Sequence, residues 1–500
     1  MKMRRILAVV LALTLLLGAV TAYALTSENN FLANLIKPNS NTAMDAGNQD
    51  APLRYEAVGQ KFSDDDTTVV SWINIWYAST ESWFRPDAAD GIRYYINGTW
   101  TGMDWDDMVF ARTMLTQMKD VGVDVVVFDL TNAWPSYTIA RAKQVAEIVA
   151  ELGLKFCVAV GNRTDDQLNS CASNILDWWA GENAALKDSY YNKDGKPVFV
   201  NYVVRSQWES LNANTSLTSW NQFTNVWASG REAAADKWGW QLDPSVGAVP
   251  SEDTMFVSGS LFWNSELSGW NKSIAWLDYN MLLASKSQPE NLVIGSYDDV
   301  SERNGWGYQD TTNADKGEAA FQKDIYGNLT IDGWHDRVES WLSEEGPTVV
   351  AGGTLMDGAY MMVNVNSGML INTDMLTYAD GLNLMQMSPM EDTTDYVWLY
   401  HVGNDNYRIC RLSAGKSLAV AEDGLEVGDN LIQEYDAYTD RQFWKLTVNE
   451  DGSYTFTNNA NGLVIGVHKD STSEGAYLKM QEDSGSDSQH WEMVPVLLMK

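Results

Sequence analysis

The sequence predicts an α/β chain, a (β/α)8 TIM-type barrel over residues 67–346 followed by an all-β unit of three repeats over 352–497. Two observations carry this. Between Thr67 and Gly346 short apolar, β-branched runs alternate with stretches of helical spacing, the pattern of a parallel sheet covered by helices. Beyond Gly352 helical periodicity disappears and a 47-residue period replaces it.

Met1 to Arg5 carries Lys2, Arg4 and Arg5, Ile6 to Val20 is apolar, and Ala22-Tyr23-Ala24 offers small residues at a cleavage site. Residues 1–24 therefore read as a secretory signal peptide cut after Ala24, which predicts a secreted, extracellular protein. A retained membrane anchor is the alternative, and the short apolar stretch argues against it. Residues 25–66, rich in Asn, Asp, Ser and Ala, read as a linker or N-terminal arm.

From Thr67 the elements follow in order. Val69 to Trp76 reads as a strand. Asp104 to Val121 reads as a helix, with Asp104 as N-cap and Gly122 as stop. Val123 to Leu130 is the second strand, Ser136 to Leu152 a helix ended by Gly153, and Lys155 to Val160 the third strand. Asp165 to Leu186 reads as a helix and Pro197 to Val204 as the fourth strand. The stretch from Asn212 to Pro250 resists assignment. Strands resume at Met255 to Ser258 and at Leu292 to Tyr297, and a last helix spans Gly333 to Glu345. Six strands are legible and eight units suit the length, so barrel closure is an inference. An open doubly wound sheet is the alternative, but no glycine-rich phosphate loop follows the first strand.

Composition narrows the partners. With 67 Asp and Glu against 34 Lys and Arg the chain carries a formal charge of -33, which disfavours nucleic acid and anionic membranes. No stretch after the leader is apolar and long enough to insert in a bilayer, and a monomer is expected. Three cysteines are too few for a disulfide framework; Cys157 reads as a buried thiol, with a Cys157–Cys171 pair left open. The 22 Trp and 22 Tyr against 13 Phe suit the apolar faces and hydroxyl rims of sugar rings, although much of this Trp must be core. A polysaccharide or glycan is thus the expected partner.

In the C-terminal third Tyr360, Tyr407 and Tyr454 recur at 47 residues, as do Gly368, Gly415 and Gly462, and Leu384, Leu431 and Leu478. Trp398, Trp444 and Trp491 close the units, the first interval one residue shorter. Three copies too small to bury their own faces must share one core, and a self-contained core predicts that this unit folds alone. With Gln442-Phe443-Trp444 and Gln489-His490-Trp491 as closing triplets, and Tyr396-Val397-Trp398 departing in the first repeat, the region resembles the ricin-type β-trefoil, carbohydrate-binding module family 13. The resemblance implies sugar-binding positions that hold Asn372, Ala419 and Gly466 here, of which Asn372 alone can both donate and accept. A trefoil serving only as a spacer is the alternative.

Reacting groups in a barrel sit at the carboxyl ends of its strands. Those ends offer Trp76 and Tyr77 with Glu81 beyond, Asp129 followed by Thr131, Asn132 and Trp134, Asn201 and Tyr202, then Trp263 and Glu266. The last strand runs into Asp298, Asp299 and Glu302. Three carboxylates in five residues provide what glycosidic hydrolysis requires, one group to protonate the leaving oxygen and a second to attack, stabilise or activate water. Like charges so clustered raise one pKa relative to another. Capping of a turn by Asp298 and Asp299 is the plain alternative. Calcium lacks its regular Asp-x-Asp spacing, and none of the four histidines falls at a strand end, so no metal or cofactor is expected.

Tyr297-Asp298-Asp299-Val300-Ser301-Glu302 resembles the Trp/Tyr-Asn-(Asp/Glu)-x-x-Glu motif of glycoside hydrolase families 71 and 99, with Asp in the Asn place. Asp194-Gly195-Lys196-Pro197 resembles their turn into a strand. The resemblance implies a glycoside hydrolase acting on an α-linked polysaccharide or glycan, with Asp299 and Glu302 catalytic and Glu302 the acid/base. Asp129 could assist or replace Asp299. Trp76, Tyr77, Trp134, Asn201, Tyr202, Trp263, Asp298 and Asn372 are the candidate sugar contacts. The rival from another class is a non-catalytic extracellular glycan-binding or adhesion protein on the same scaffold.

Overall fold

A computed structural model describes residues 62, 66–77, 93–96, 99–102, 104–131, 136–230, 234–239, 242–264, 269–298, 305–307, 333–343, 346–347, 349–350, 352–373, 379–422 and 424–499. The expected signal peptide and nearly all of the expected N-terminal arm lie outside these residues.

Seven parallel strands form the centre of the N-terminal domain: β1 (Thr68–Ile73), β2 (Val125–Asp129), β3 (Lys155–Gly161), β4 (Lys196–Tyr202), β5 (Thr224–Ala228), β6 (Thr254–Val257) and β7 (Asn291–Ser296). Their order across the sheet is β5-β4-β3-β2-β1-β7-β6, so chain neighbours lie side by side and the first strand pairs with the last. Asn192–Lys193 adds an antiparallel edge to β4, and an isolated parallel bridge joins Trp227 to Lys237 beyond β5. The result is a curled mixed sheet. Its central strands β1, β2 and β7 are buried on both faces, as unbroken Val-rich runs such as Val125-Val126-Val127-Phe128 require.

Helices cover the sheet. The first, α1 (Met108–Asp120), starts one turn later than expected: Asp107 caps it by accepting from Val109 and Phe110 N–H, while Asp104 turns the chain ahead of it. Gly122 (φ +100°) stops it in a conformation that a side chain resists. Next comes α2 (Ser136–Glu151), then α3 (Asp165–Ile175), which opens with a reciprocal Thr164–Gln167 capping box. This third helix is shorter than its predicted span to Leu186. A π-helical turn, Leu176–Ala180, follows it and closes at Gly181, where a Cβ would stand 2.5 Å from the Leu176 carbonyl oxygen. Then come α4 (Arg205–Ala213), α5 (Ile274–Ser287) and α6 (Gly333–Leu342). Every residue of α5 from Ile274 to Ser285 is buried, so it shows no polar face to read from sequence. Cys157, Cys171 and Cys410 are all free and buried.

Twelve strands build the C-terminal domain: β8 (Gly358–Asn364), β9 (Leu370–Thr373), β10 (Leu382–Met387), β11 (Val397–Gly403), β12 (Asn406–Arg411), β13 (Lys416–Val420), β14 (Leu431–Glu434), β15 (Phe443–Val448), β16 (Tyr454–Asn458), β17 (Val464–Val467), β18 (Leu478–Gln481) and β19 (Trp491–Leu498). They share a core of their own, in which Tyr360 and Tyr407, Leu384, Leu431 and Leu478, and Ile371, Leu418 and Ile465 recur at the 47-residue period. Trp444 and Trp491 lie in that core and donate to the carbonyls of Leu418 and Ile465, each at 3.2 Å.

The first repeat is built differently from the expected alignment. Val397 pairs with Arg411 as Trp444 pairs with Asn458, so Val397 and not Trp398 occupies the closing-tryptophan position. A slip of one residue turns a strand side chain to the other face, and Trp398 packs instead into the cluster of the N-terminal domain. The glutamine position is likewise held by Asp395. Asp395, Gln442 and Gln489 each end an equivalent 3-10 turn; Asp395 and Gln442 accept from two consecutive backbone N–H groups, and Gln489 from the N–H and the hydroxyl of Ser484.

Candidate active site

Three adjacent strands, β2, β1 and β7, end beside one another and bring a layer of polar and aromatic groups together. From the end of β7, Asp298 reaches under the chain that leaves β1. One carboxylate oxygen accepts from the Asn74 N–H at 2.7 Å and the other from the Trp105 indole N–H at 2.9 Å. From the end of β2, Asp129 accepts from the Trp76 indole N–H at 3.2 Å and from the Thr131 N–H at 2.8 Å. Trp76 and Tyr77 lie ring to ring at 4.5 Å, and the Tyr77 carbonyl accepts from Trp105 N–H at 3.0 Å. Arg141 of α2 braces the layer from outside, donating to the Ile75 carbonyl and pairing with Asp106.

The electrostatics follow from burial. Both carboxylates are buried, and Asp298 is fully enclosed. Burial pushes its carboxyl up to about 7; the donors from Asn74 and Trp105 oppose this and the Asp129 charge adds to it. A carboxyl in that range exchanges its proton near neutrality.

Other predicted residues fall as follows. Asn201 is fully buried: its amide donates to the Phe199 carbonyl and Asn225 Oδ1, and its oxygen accepts from the Trp220 indole. Tyr202 ends β4 half-buried, close over Gly161, where a Cβ would meet the Tyr202 carbonyl oxygen at 2.7 Å. Trp263 lies in a strand, Ser260–Asn264, that pairs with Gly269–Lys272 apart from the main sheet. Asp299, Glu302, Trp134, Glu81, Asn132 and Glu266 lie outside the described residues. In the C-terminal domain Asn372 is buried, with its oxygen accepting from Arg411 at 2.6 Å and its nitrogen donating to the Thr394 carbonyl at 3.4 Å. Trp105 sits in the loop before α1 and not at a strand end, so the sequence carries no signal of its place in the layer. Among the described residues one group offers three metal-ligand atoms within 4.8 Å, His335, Asp336 and Glu339 on α6; two of them are exposed, an arrangement common without an ion.

Residues 440–496 match the family model of the ricin-type beta-trefoil lectin domain. The C-terminal domain is a ricin-type β-trefoil. Among solved structures the chain is similar to a designed 3-fold symmetric protein, ThreeFoil, at 30% identity over 28% of this chain and 99% of that one, with a TM-score of 0.27. It is also similar to 1,3Gal43A, an exo-beta-1,3-galactanase from Clostridium thermocellum, at 28% identity over 28% of this chain and 30% of that one, TM-score 0.27. A third is the GH99 endo-alpha-mannosidase from Bacteriodes thetaiotaomicron, at 14% identity over 56% of this chain and 96% of that one, TM-score 0.41. No curated protein matches the chain. Within the trefoil, the position equivalent to Asn372 is a fully buried Ala419 in the second repeat. In the third it is Gly466, where a Cβ would meet Gln481 Oε1 at 2.5 Å.

Proposed function

We propose that the protein is a secreted glycoside hydrolase of α-linked polysaccharides or glycans, a (β/α)8 barrel with an appended trefoil, acting as a monomer. The observation that carries this is the polar layer at the ends of β2, β1 and β7. It gathers Asp129 and Asp298 with Trp76 and Trp105, and the segment with Asp299 and Glu302 issues directly from Asp298. Seven parallel strands in chain order, the first bound to the last, and a parallel bridge from Trp227 of β5 to Lys237 support the barrel. The lectin-type trefoil supports a carbohydrate substrate.

In this reading Asp298 and Asp129 hold the layer, since each already accepts two donors from the scaffold. Glu302 gives a proton to the leaving glycosidic oxygen as the C–O bond breaks. Either Asp299 attacks the electron-poor carbon and a water deprotonated by Glu302 then breaks the Asp299–carbon bond, which returns the proton to Glu302, or Asp299 deprotonates the attacking water directly and the proton it gains is exchanged through solvent back to Glu302. Incubation of the purified chain with α-glucans, α-mannans and host glycans, read by new reducing ends, tests the proposal. Release from one α-linked class is expected; binding without release from any of them would support the adhesion reading instead.

A further inference from the structure

The end of the first trefoil repeat and the start of the second depart from their counterparts at four positions, and each departure meets the N-terminal domain. Trp398 faces outward and joins the core cluster that contains the β1–β7 sheet. Tyr400 donates its hydroxyl at 2.7 Å to Asp278, a fully buried residue of α5 that also binds Arg337 through two nitrogens and the Trp341 indole. The turn ending at Asp395 docks on the loop before β6: Thr393 N–H donates to the Ser245 carbonyl at 3.1 Å, and its hydroxyl donates to the Pro244 carbonyl. Tyr396 lies against Tyr279, ring centroids 6.4 Å apart.

Glycine spacing shows how close the approach is. Gly368, Gly415 and Gly462 are equivalent and share a left-handed backbone, φ +69°, +62° and +71°. A Cβ on Gly368 or Gly462 would meet nothing within 4 Å, whereas one on Gly415 would stand 2.4 Å from Leu261 Cδ1 and 2.7 Å from Ser273 Cβ of the N-terminal domain. The repeat's own Asn372 is tied to Arg411 and to Thr394 of the docking turn.

We infer that the junction of the first and second repeats serves as a clamp for the N-terminal domain, with the first repeat not a sugar-binding one, so that the two domains unfold as one cooperative unit. An aspartate buried without one of its donors is costly, and a core shared across a junction cannot open on one side alone.

The test uses the full chain and three matched variants, Gly415→Asn, Gly368→Asn and Gly462→Asn. Asparagine tolerates the left-handed backbone, so all three share the local strain and only the first disturbs the junction. Calorimetry should show one transition for the wild type and for Gly368→Asn and Gly462→Asn. Gly415→Asn should split it in two and raise proteolytic cutting between residues 343 and 352 roughly tenfold. Tyr400→Phe, which folds without steric change, should raise the same cutting in the same direction. Two independent transitions in the wild type, or a Gly415→Asn protein indistinguishable from its two controls together with an inert Tyr400→Phe, would overturn the clamp.

Discussion

At Asp298 two N–H donors converge, one on each carboxylate oxygen. An asparagine, the residue that the related motif carries, has one acceptor and would set its own NH2 against one of these donors. The departure from the motif is therefore matched to the Trp105 indole. Asp298→Asn should cost about 1–3 kcal/mol through the lost acceptor. It should also flatten part of the pH dependence. A carboxyl whose folded pKa is raised from 3.8 to about 7 favours the protonated fold, so its stabilisation holds in acid and fades as pH climbs through that window. Urea midpoints at pH 4.5 and 8 for both proteins check the sign. Asp395 gives a second case. Its Oδ2 copies the glutamine oxygen of the other repeats, but Oδ1 lies buried with no hydrogen-bond partner, where Gln442 and Gln489 donate from their amides. Burial raises its pKa as well. Asp395→Gln should raise stability at pH 8 by about 1 kcal/mol and gain less at pH 4.5, measured by the same midpoints.

Elements differ in how far the amino-acid pattern reveals them. All six predicted strands are present, because β-branched runs between glycine and charged turns have no other home in a buried parallel sheet. The strand Thr224–Ala228 escaped notice because Thr and Asn dilute its apolar character. The helix α5 escaped for the opposite reason: buried on every side, with Asp278 satisfied inside, it has no amphipathic period. The repeat period was legible but its register at Trp398 was not, since a tryptophan is conspicuous in sequence while the closing position of the first repeat is held by its neighbour Val397. This makes a contrast. Trp444→Ala empties the trefoil core and removes the bond to Leu418, and should cost about 3–5 kcal/mol. Val397→Ala, at the equivalent core position, removes far less volume and should cost about half as much by thermal melting. If Trp444→Ala melted with the wild type, the assignment of the shared threefold core would be wrong.

For the whole molecule, the polar layer is where sequence and structure meet and also where sequence reading reaches its limit. Asp129, Trp76 and Asp298 were predicted from strand ends and are joined in one layer with Asn74 and Trp105. Asn201, predicted on the same grounds, is consumed by the scaffold, because a strand end does not say which way its side chain turns. Asp298 and Asp129 each accept two donors from the scaffold, and the proposed chemistry rests on Asp299 and Glu302, which lie outside the described residues. The most direct measurement is turnover by Glu302→Gln on whichever α-linked glycan the wild type cleaves, alongside glycan binding and thermal melting. Loss of about two to four orders of magnitude in turnover, with binding and melting unchanged, is the predicted result. Near-normal hydrolysis by Glu302→Gln would contradict it.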